Sequence, residues 1–122
     1  MTDDDVQRWL DAYVEAWRSY DREAIGALFS EDASYRYHPY DDEAVTGRDA
    51  IIENWLEERD DPGSWEATYR PWVVAGDRAV AVGETRYTDG QVYWNIWQLS
   101  FDGEGRCSDY VEWFMVPPGA GG

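Results

Sequence analysis

A single histidine, His38, stands directly before Pro39, and a glutamate, Glu112, lies between aromatic residues in the last apolar stretch. Imidazole ordinarily titrates near pH ~6.5, so His38 could take and return a proton at neutral pH. Pro39 stops an extended segment, which puts this imidazole at a strand end, where its competing role is a hydrogen bond that fixes a loop. Glu112 alternates with Tyr110 and Phe114 on one strand face, while Asp109, Val111 and Trp113 share the other. With the first face inward, a carboxyl group is sealed among aromatic rings. Burial then raises its pKa and makes it a usable acid or base. An ion pair with Arg36 or Arg86 is the competing role for Glu112, and the opposite face assignment makes Asp109 the buried acid.

Other chemistries lack their residues. No glycine-rich phosphate loop, nucleophile elbow or metal-ligand spacing occurs, so neither a cofactor nor a metal is expected. Cys107 is the sole cysteine, which excludes an intrachain disulfide and a cysteine-based zinc site; it reads as core at the start of a strand. The clusters Asp3-Asp4-Asp5, Asp41-Asp42-Glu43 and Asp60-Asp61 sit at caps and turns and read as solvated surface.

Twenty-six acids against ten bases, all of them Arg, give a net charge of −16. That field repels phosphate backbones and anionic bilayers, so neither nucleic acid nor membrane is an expected partner. A GC-rich genome and adaptation to high salt both account for the missing Lys. No apolar run approaches the ~18 residues of a membrane span, and the start of the chain is acidic; the reading is cytoplasmic.

The elements that must position these groups follow from spacing. Thr2 and the three aspartates after it open a helix whose Val6, Trp9, Leu10, Tyr13, Ala16, Trp17 and Tyr20 recur at helical intervals. Asp21 starts a shorter helix burying Ile25, Leu28 and Phe29. Ser34 to His38 reads as a short strand, residues 40–46 as a loop, and Gly47 as the entry to a third helix carrying Ile51, Ile52, Trp55 and Leu56. From Ser64 the period becomes two. Strands over about 64–74, 78–87, 92–101 and 106–116 are separated by Gly76-Asp77, Asp89-Gly90 and Asp102-Gly103, the dipeptides of tight hairpins. Helices followed by an antiparallel meander mean α+β, with N-terminal helices in the concave face of a strongly curved, mostly antiparallel sheet. Residues 1–116 read as one domain and 117–122 as a Pro/Gly-rich tail. Strands of this length, bent around helices, leave a cone with an interior pocket. The chain's twenty aromatics exceed what so small a core needs, so some line that pocket or an interface.

Three segments keep one order and spacing: Asp21-Arg22-Glu23-Ala24-Ile25-Gly26-Ala27-Leu28-Phe29-Ser30-Glu31-Asp32-Ala33, Gly47-Arg48-Asp49-Ala50-Ile51, and Phe101-Asp102-Gly103-Glu104-Gly105-Arg106. Together they resemble the SnoaL-like and ketosteroid-isomerase-like branch of the nuclear transport factor two superfamily, whose fold is cystatin-like. That fold hosts isomerases, cyclases, dehydratases, hydrolases and non-catalytic binders, so it implies no single reaction. Resemblance to the isomerases implies three pocket groups: a Tyr donor on the first helix, a carboxylate base before a Pro on the first strand, and a protonated acid on a later strand. Counting from Asp21 places Tyr13 at the donor position. Counting from Pro39 places His38 at the base, while counting from Ala33 places Tyr37 there. Counting from Phe101 puts Trp97 at the acid, a departure, because an indole donates a hydrogen bond but supplies no proton.

SnoaL-like cyclases use a pocket carboxylate, a role open to Glu112. The catalytic set is then His38, Glu112 and Tyr13. The ligand-binding set is Trp17, Arg36, Tyr37, Trp55, Asn95, Trp97, Tyr110 and Phe114; for all but Arg36 and Tyr37, plain core packing is the competing role. The resemblance also implies a homodimer through the outer sheet face, where Tyr93, Trp94 and Trp113 would need covering. The expected function is binding of a small apolar or aromatic molecule in the cone. If the protein is catalytic, the chemistry is cofactor-free proton transfer in an isomerisation, aldol-type cyclisation or dehydration. The alternatives are a non-catalytic binding module with the same pocket and a homodimeric interaction module whose cone is plugged by side chains.

Overall fold

Thr2 starts the first helix, α1 (Asp3–Ser19), through a reciprocal capping box: its hydroxyl accepts the Asp5 N–H, and the Asp5 carboxylate takes its own N–H at 2.9 Å. Val6, Trp9, Leu10, Tyr13 and Ala16 form the buried stripe. The helix ends at Tyr20, whose φ of 49° is left-handed and whose N–H returns to the Ala16 carbonyl. Helix α2 (Arg22–Leu28) buries Ile25 and Leu28, and the Trp9 indole ties α1 to its end by donating to the Leu28 carbonyl at 2.9 Å. The computed structural model describes residues 1–118, so residues 119–122 of the tail read over 117–122 lie outside the described residues.

Strand β1 (Phe29–Arg36) starts at Phe29, where the sequence reading continued the helix, and ends before His38. Phe29 turns extended, with φ −121° and ψ 147°, as its ring enters the core. The polar run Glu31-Asp32 that follows is exposed on both sides, which hides the two-residue period from inspection. The stretch read as a loop contains β2 (Val45–Thr46), a two-residue strand antiparallel to β1. Gly47, at φ 96°, makes the turn into α3 (Arg48–Glu57), which buries Ile51, Ile52 and Trp55.

The meander β3 (Trp65–Ala75), β4 (Arg78–Tyr87), β5 (Val92–Phe101) and β6 (Cys107–Met115) follows the expected hairpins. Among the described residues the strands form one curved, unclosed sheet in the order β2-β1-β6-β5-β4-β3. All neighbours are antiparallel except β1 and β6, which run parallel with Tyr35 opposite Tyr110. The fold is therefore α+β, with the helices held against one face of the sheet.

Alternation decides which side chains meet the helices. On β5, Asn95, Trp97, Leu99 and Phe101 are buried and face inward. Their register partners on β6 include Glu112 opposite Trp97 and Phe114 opposite Asn95, which puts Glu112 inside and Asp109 on the outer face. On β4 the inner face carries only Ala79, Ala81, Gly83 and Thr85 before Tyr87. A Cβ on Gly83 would stand 2.1 Å from the Thr68 carbonyl oxygen and 2.4 Å from the Tyr69 ring, so the missing side chain is what lets Tyr69 lie across the sheet. Small residues in the middle of the sheet, facing large rings on α1, leave a hollow. No described helix is long and apolar enough to cross a membrane.

Candidate active-site cavity

The hollow is a cavity of about 370 Å³. Tyr13 and Trp17, one turn apart on α1, line it with Trp55 from α3, Tyr35 and Tyr37 from the β1 side, and Tyr69 and Trp97 from the sheet. These rings pack edge-on or tilted: Tyr13 lies 4.8 Å from Trp55 and 4.6 Å from Trp97 between centroids.

Glu112 is the acid on the floor. Asn95 Nδ2 donates to its Oε1 at 3.1 Å, while Oε2 is sealed from water and has no hydrogen-bond partner. Trp97, its cross-strand partner, is 2 % exposed and has an indole N–H that is likewise unpaired. The indole is near enough to favour the charged carboxylate, more than Asn95 does, without hydrogen-bond geometry. Neither arginine weighed as an ion-pair partner approaches: Arg86 pairs with Glu84 at 2.7 Å, and the Arg36 Nε donates to the Asp41 carbonyl at 3.3 Å. Burial therefore dominates and pushes the Glu112 pKa up to about 8, with Trp97 and Asn95 only partly offsetting it. At neutral pH the carboxyl is mostly protonated.

A hydrogen-bonded chain fixes where that proton sits. The Thr85 hydroxyl donates to Asn95 Oδ1 at 3.1 Å, so it must accept from the Tyr69 hydroxyl on its other side. Asn95 is thereby held with its amide nitrogen toward Glu112, and Oε1 acts as an acceptor. The carboxylic proton belongs on Oε2, the oxygen no protein group claims. The resemblance called for an acid at the position of Trp97; the structure supplies one on the adjacent strand.

Beside this acid lies a knot of phenols. The Tyr13 hydroxyl is 2.7 Å from that of Tyr35 and 3.4 Å from that of Tyr110, and the rings of Tyr35 and Tyr110 stack at 4.2 Å. Burial pushes all three pKa values well up, and the Glu112 charge adds to the effect, so these hydroxyls stay neutral donors. Tyr110 packs behind the wall rather than lining it.

His38 stands at the rim, beyond the end of β1. Its Nδ1 is 3.2 Å from Asp41 Oδ1, its backbone N–H donates to Asp41 Oδ2 at 3.1 Å, and its ring stacks on Tyr40 at 4.9 Å. Asp41, read as solvated surface, is thus the partner that orients the imidazole, leaving Nε2 unclaimed. No hydrogen bond joins His38 to Glu112 among the described residues. The strand alternation through Tyr35 brings Tyr37 to the cavity as well, so both candidates for that position line it. Tyr37 donates to Asn54 Oδ1, and burial followed by the charge of Glu58 raises its pKa to about 12. Arg36, between two inward tyrosines, faces away and does not line the cavity. Phe114 lines its open end and remains 45 % exposed.

The rest of the mouth escaped sequence inspection. Tyr20, Glu58, Asp60, Tyr87 and Tyr93 line it. Tyr93 was expected on the outer face, but it shares the parity of Asn95 and Trp97 and turns inward, leaving Trp94 and Trp113 outside. Asp60 accepts the Trp17 indole N–H at 3.0 Å, and its backbone N–H donates to the Tyr20 hydroxyl at 2.8 Å. Helix-end spacing could have flagged Tyr20. The acids come from the turn after α3, where composition alone indicates solvent. Cys107 is buried core, its thiol pushed up by burial. Among the described residues, no three His, Cys, Asp or Glu side chains cluster closely enough to hold a metal.

The profile of the SnoaL-like domain family matches residues 10–119. Among solved structures, an NTF-2 like protein of unknown function from Burkholderia xenovorans is 20% identical, with 95% of this chain and 89% of that one covered and a TM-score of 0.73. An LEH-like epoxide hydrolase from Mycobacterium tuberculosis is 13% identical over 88% of this chain and 80% of its own, at a TM-score of 0.66. A ketosteroid isomerase-like protein from Erwinia carotovora atroseptica is 17% identical over 91% and 94%, at 0.63. At these identities the structures show a shared fold. No match is found among curated proteins.

Proposed function

Because the chain belongs to the SnoaL-like domain family, we propose that its cavity holds a small, mostly apolar or aromatic molecule and moves a proton on it without a cofactor. One observation carries this reading: the Glu112 carboxyl on the floor of an aromatic cavity, free of any cation, with an unclaimed oxygen and a pKa raised to about 8. A carboxyl so tuned gives its proton to a substrate oxygen and, as the carboxylate, takes one back from carbon or oxygen. Gain and return of one proton serve isomerisation, aldol-type cyclisation and dehydration, with no electron acceptor involved. The Trp97 N–H and the Tyr13 hydroxyl are the neutral donors that would steady developing charge on that oxygen.

Enolisable aromatic ketones in D2O test the proposal, with carbon-bound deuterium followed by NMR. The wild type should accelerate exchange, and Glu112→Gln should lose about 10²–10⁴-fold while still binding. Binding without exchange in the wild type supports a second reading, a non-catalytic binder. That reading draws on one observation: His38 is held by Asp41 and, among the described residues, makes no hydrogen bond to Glu112, so the two do not form an acid–base pair.

The same proposal includes a homodimer. Trp94 is 51 % exposed, Trp113 46 % and Met115 55 %, and they adjoin on the outer face, with Trp94 opposite Met115 and Ile96 opposite Trp113. A second copy of this chain would cover them.

A further inference from the structure

The charges that line the cavity are one-sided: among the described residues Glu58 and Asp60 stand at the mouth and no arginine lines it, while Glu112 on the floor keeps its proton. His38 is the one basic side chain among the lining residues, and it faces Asp41. The chain's net charge of −16 adds a background potential of the same sign, which a low-dielectric cleft focuses. Glu58 enters no ion pair among the described residues. Asp60 has one oxygen on the Trp17 indole and no cation partner.

The mouth is also aromatic, lined by Tyr20, Tyr37, Tyr87 and Trp17. The faces of such rings carry negative potential and attract cations. Two rings here already do so: the Arg59 guanidinium lies 5.4 Å over Tyr20, and that of Arg18 lies 5.5 Å over Trp65, which stacks on Trp17, and neither arginine lines the cavity. Burial, followed by the nearby acids, keeps the wall phenols neutral: Glu58 acts on Tyr37 and Asp60 on Tyr87. At the other end, the unpaired indole N–H of the almost completely buried Trp97 calls for an acceptor atom.

We propose that the occupant of this cavity is a small organic amine, with its apolar body on the aromatic walls, its ammonium group at the mouth with Glu58 and Asp60, and an acceptor oxygen at the Trp97 end. The inference rests on the reading of the cavity as a ligand site and adds the ligand's charge. Anionic molecules are turned away by the same residues, and neutral ones bind without the contribution of the rim.

Three probes of one shape separate these possibilities: 2-naphthylmethylamine, 2-naphthalenemethanol and 2-naphthoate, titrated against the full chain at low and high salt by calorimetry. The amine should bind about tenfold tighter than the alcohol at low salt, with the carboxylate weakest and the preference shrinking as salt rises. Glu58→Gln and Asp60→Asn should each weaken the amine by roughly three- to tenfold and leave the alcohol unchanged. Asp60→Asn keeps an oxygen for the Trp17 indole, and near-UV circular dichroism of the Trp17–Trp65 stack reports whether the rim stays folded. Alcohol binding equal to the amine, with both variants silent, overturns the amine and leaves the cavity reading standing. Binding of none of the three overturns both.

Discussion

Replacing Glu112 with Gln removes a buried carboxyl whose ionisation the fold resists, and stability should report it. The carboxyl ordinarily titrates at 4.5, and in the fold at about 8. Each pH unit between the two values corresponds to about 1.4 kcal/mol, so ionising Glu112 in place disfavours the folded state by about 5 kcal/mol at most. Below pH 4.5 the folded and unfolded chains both carry the proton, and the stabilising difference is fully present. Between 4.5 and 8 the unfolded chain has released its proton while the folded one keeps it, so stability falls as pH rises; above about 8 the loss is complete. Gln has the same shape, accepts the Asn95 amide and cannot ionise. Urea unfolding of both proteins across pH 4 to 9 isolates this group, because every other titration is common to the pair. The stability of wild type relative to Glu112→Gln should fall by several kcal/mol over that range. A difference that stays constant to within about 1 kcal/mol would show that water or a cation reaches the carboxyl, and would refute the proton assignment on which the catalytic reading stands.

Four further outcomes follow from the packing. Thr85→Val cuts the chain from Tyr69 to Asn95 and leaves a buried amide oxygen unpaired, so it should cost about 1–3 kcal/mol in chemical denaturation. Gly83→Ala drives a methyl group into the Tyr69 ring and the Thr68 carbonyl, and should destabilise by about 1–3 kcal/mol while quenching changes report a moved Trp97. Trp97→Ala empties a fully buried ring position and should cost about 3–5 kcal/mol by thermal unfolding. Trp113→Glu on the outer face should leave the melting of the monomer nearly unchanged and shift sedimentation toward half the mass if two copies pair there.

The parts of this structure that were legible in the sequence are those governed by neighbours along the chain. Hairpin dipeptides set the ends of β3 to β6, and strict alternation around Tyr110, Glu112 and Phe114 set out the two face assignments between which the register with β5 decides. The capping box at Thr2 is equally local. What escaped depends on contacts between distant segments. Phe29 leaves the helical pattern because the core pulls its ring inward, while the polar residues after it carry no strand signal. Asp41 is an ordinary loop acid until the turn after Arg36 folds it onto His38. Tyr20, Asp60 and Tyr87 belong to a helix end, a turn and a strand end, and nothing in their spacing shows that they meet. Tyr93 was misassigned for a simpler reason: an aromatic near the end of a strand suits an outer face as well as an open cavity.

The parallel pairing of β1 with β6 joins the first strand to the last. Hairpins of the meander can form from neighbours, but this seam joins residues as far apart in sequence as Tyr35 and Tyr110, and loop closure of that length is slow. Glu112 rides on the strand that closes it. During synthesis Glu112 therefore leaves the ribosome after every other lining residue except Phe114, and its carboxyl reaches the hollow only when β6 docks.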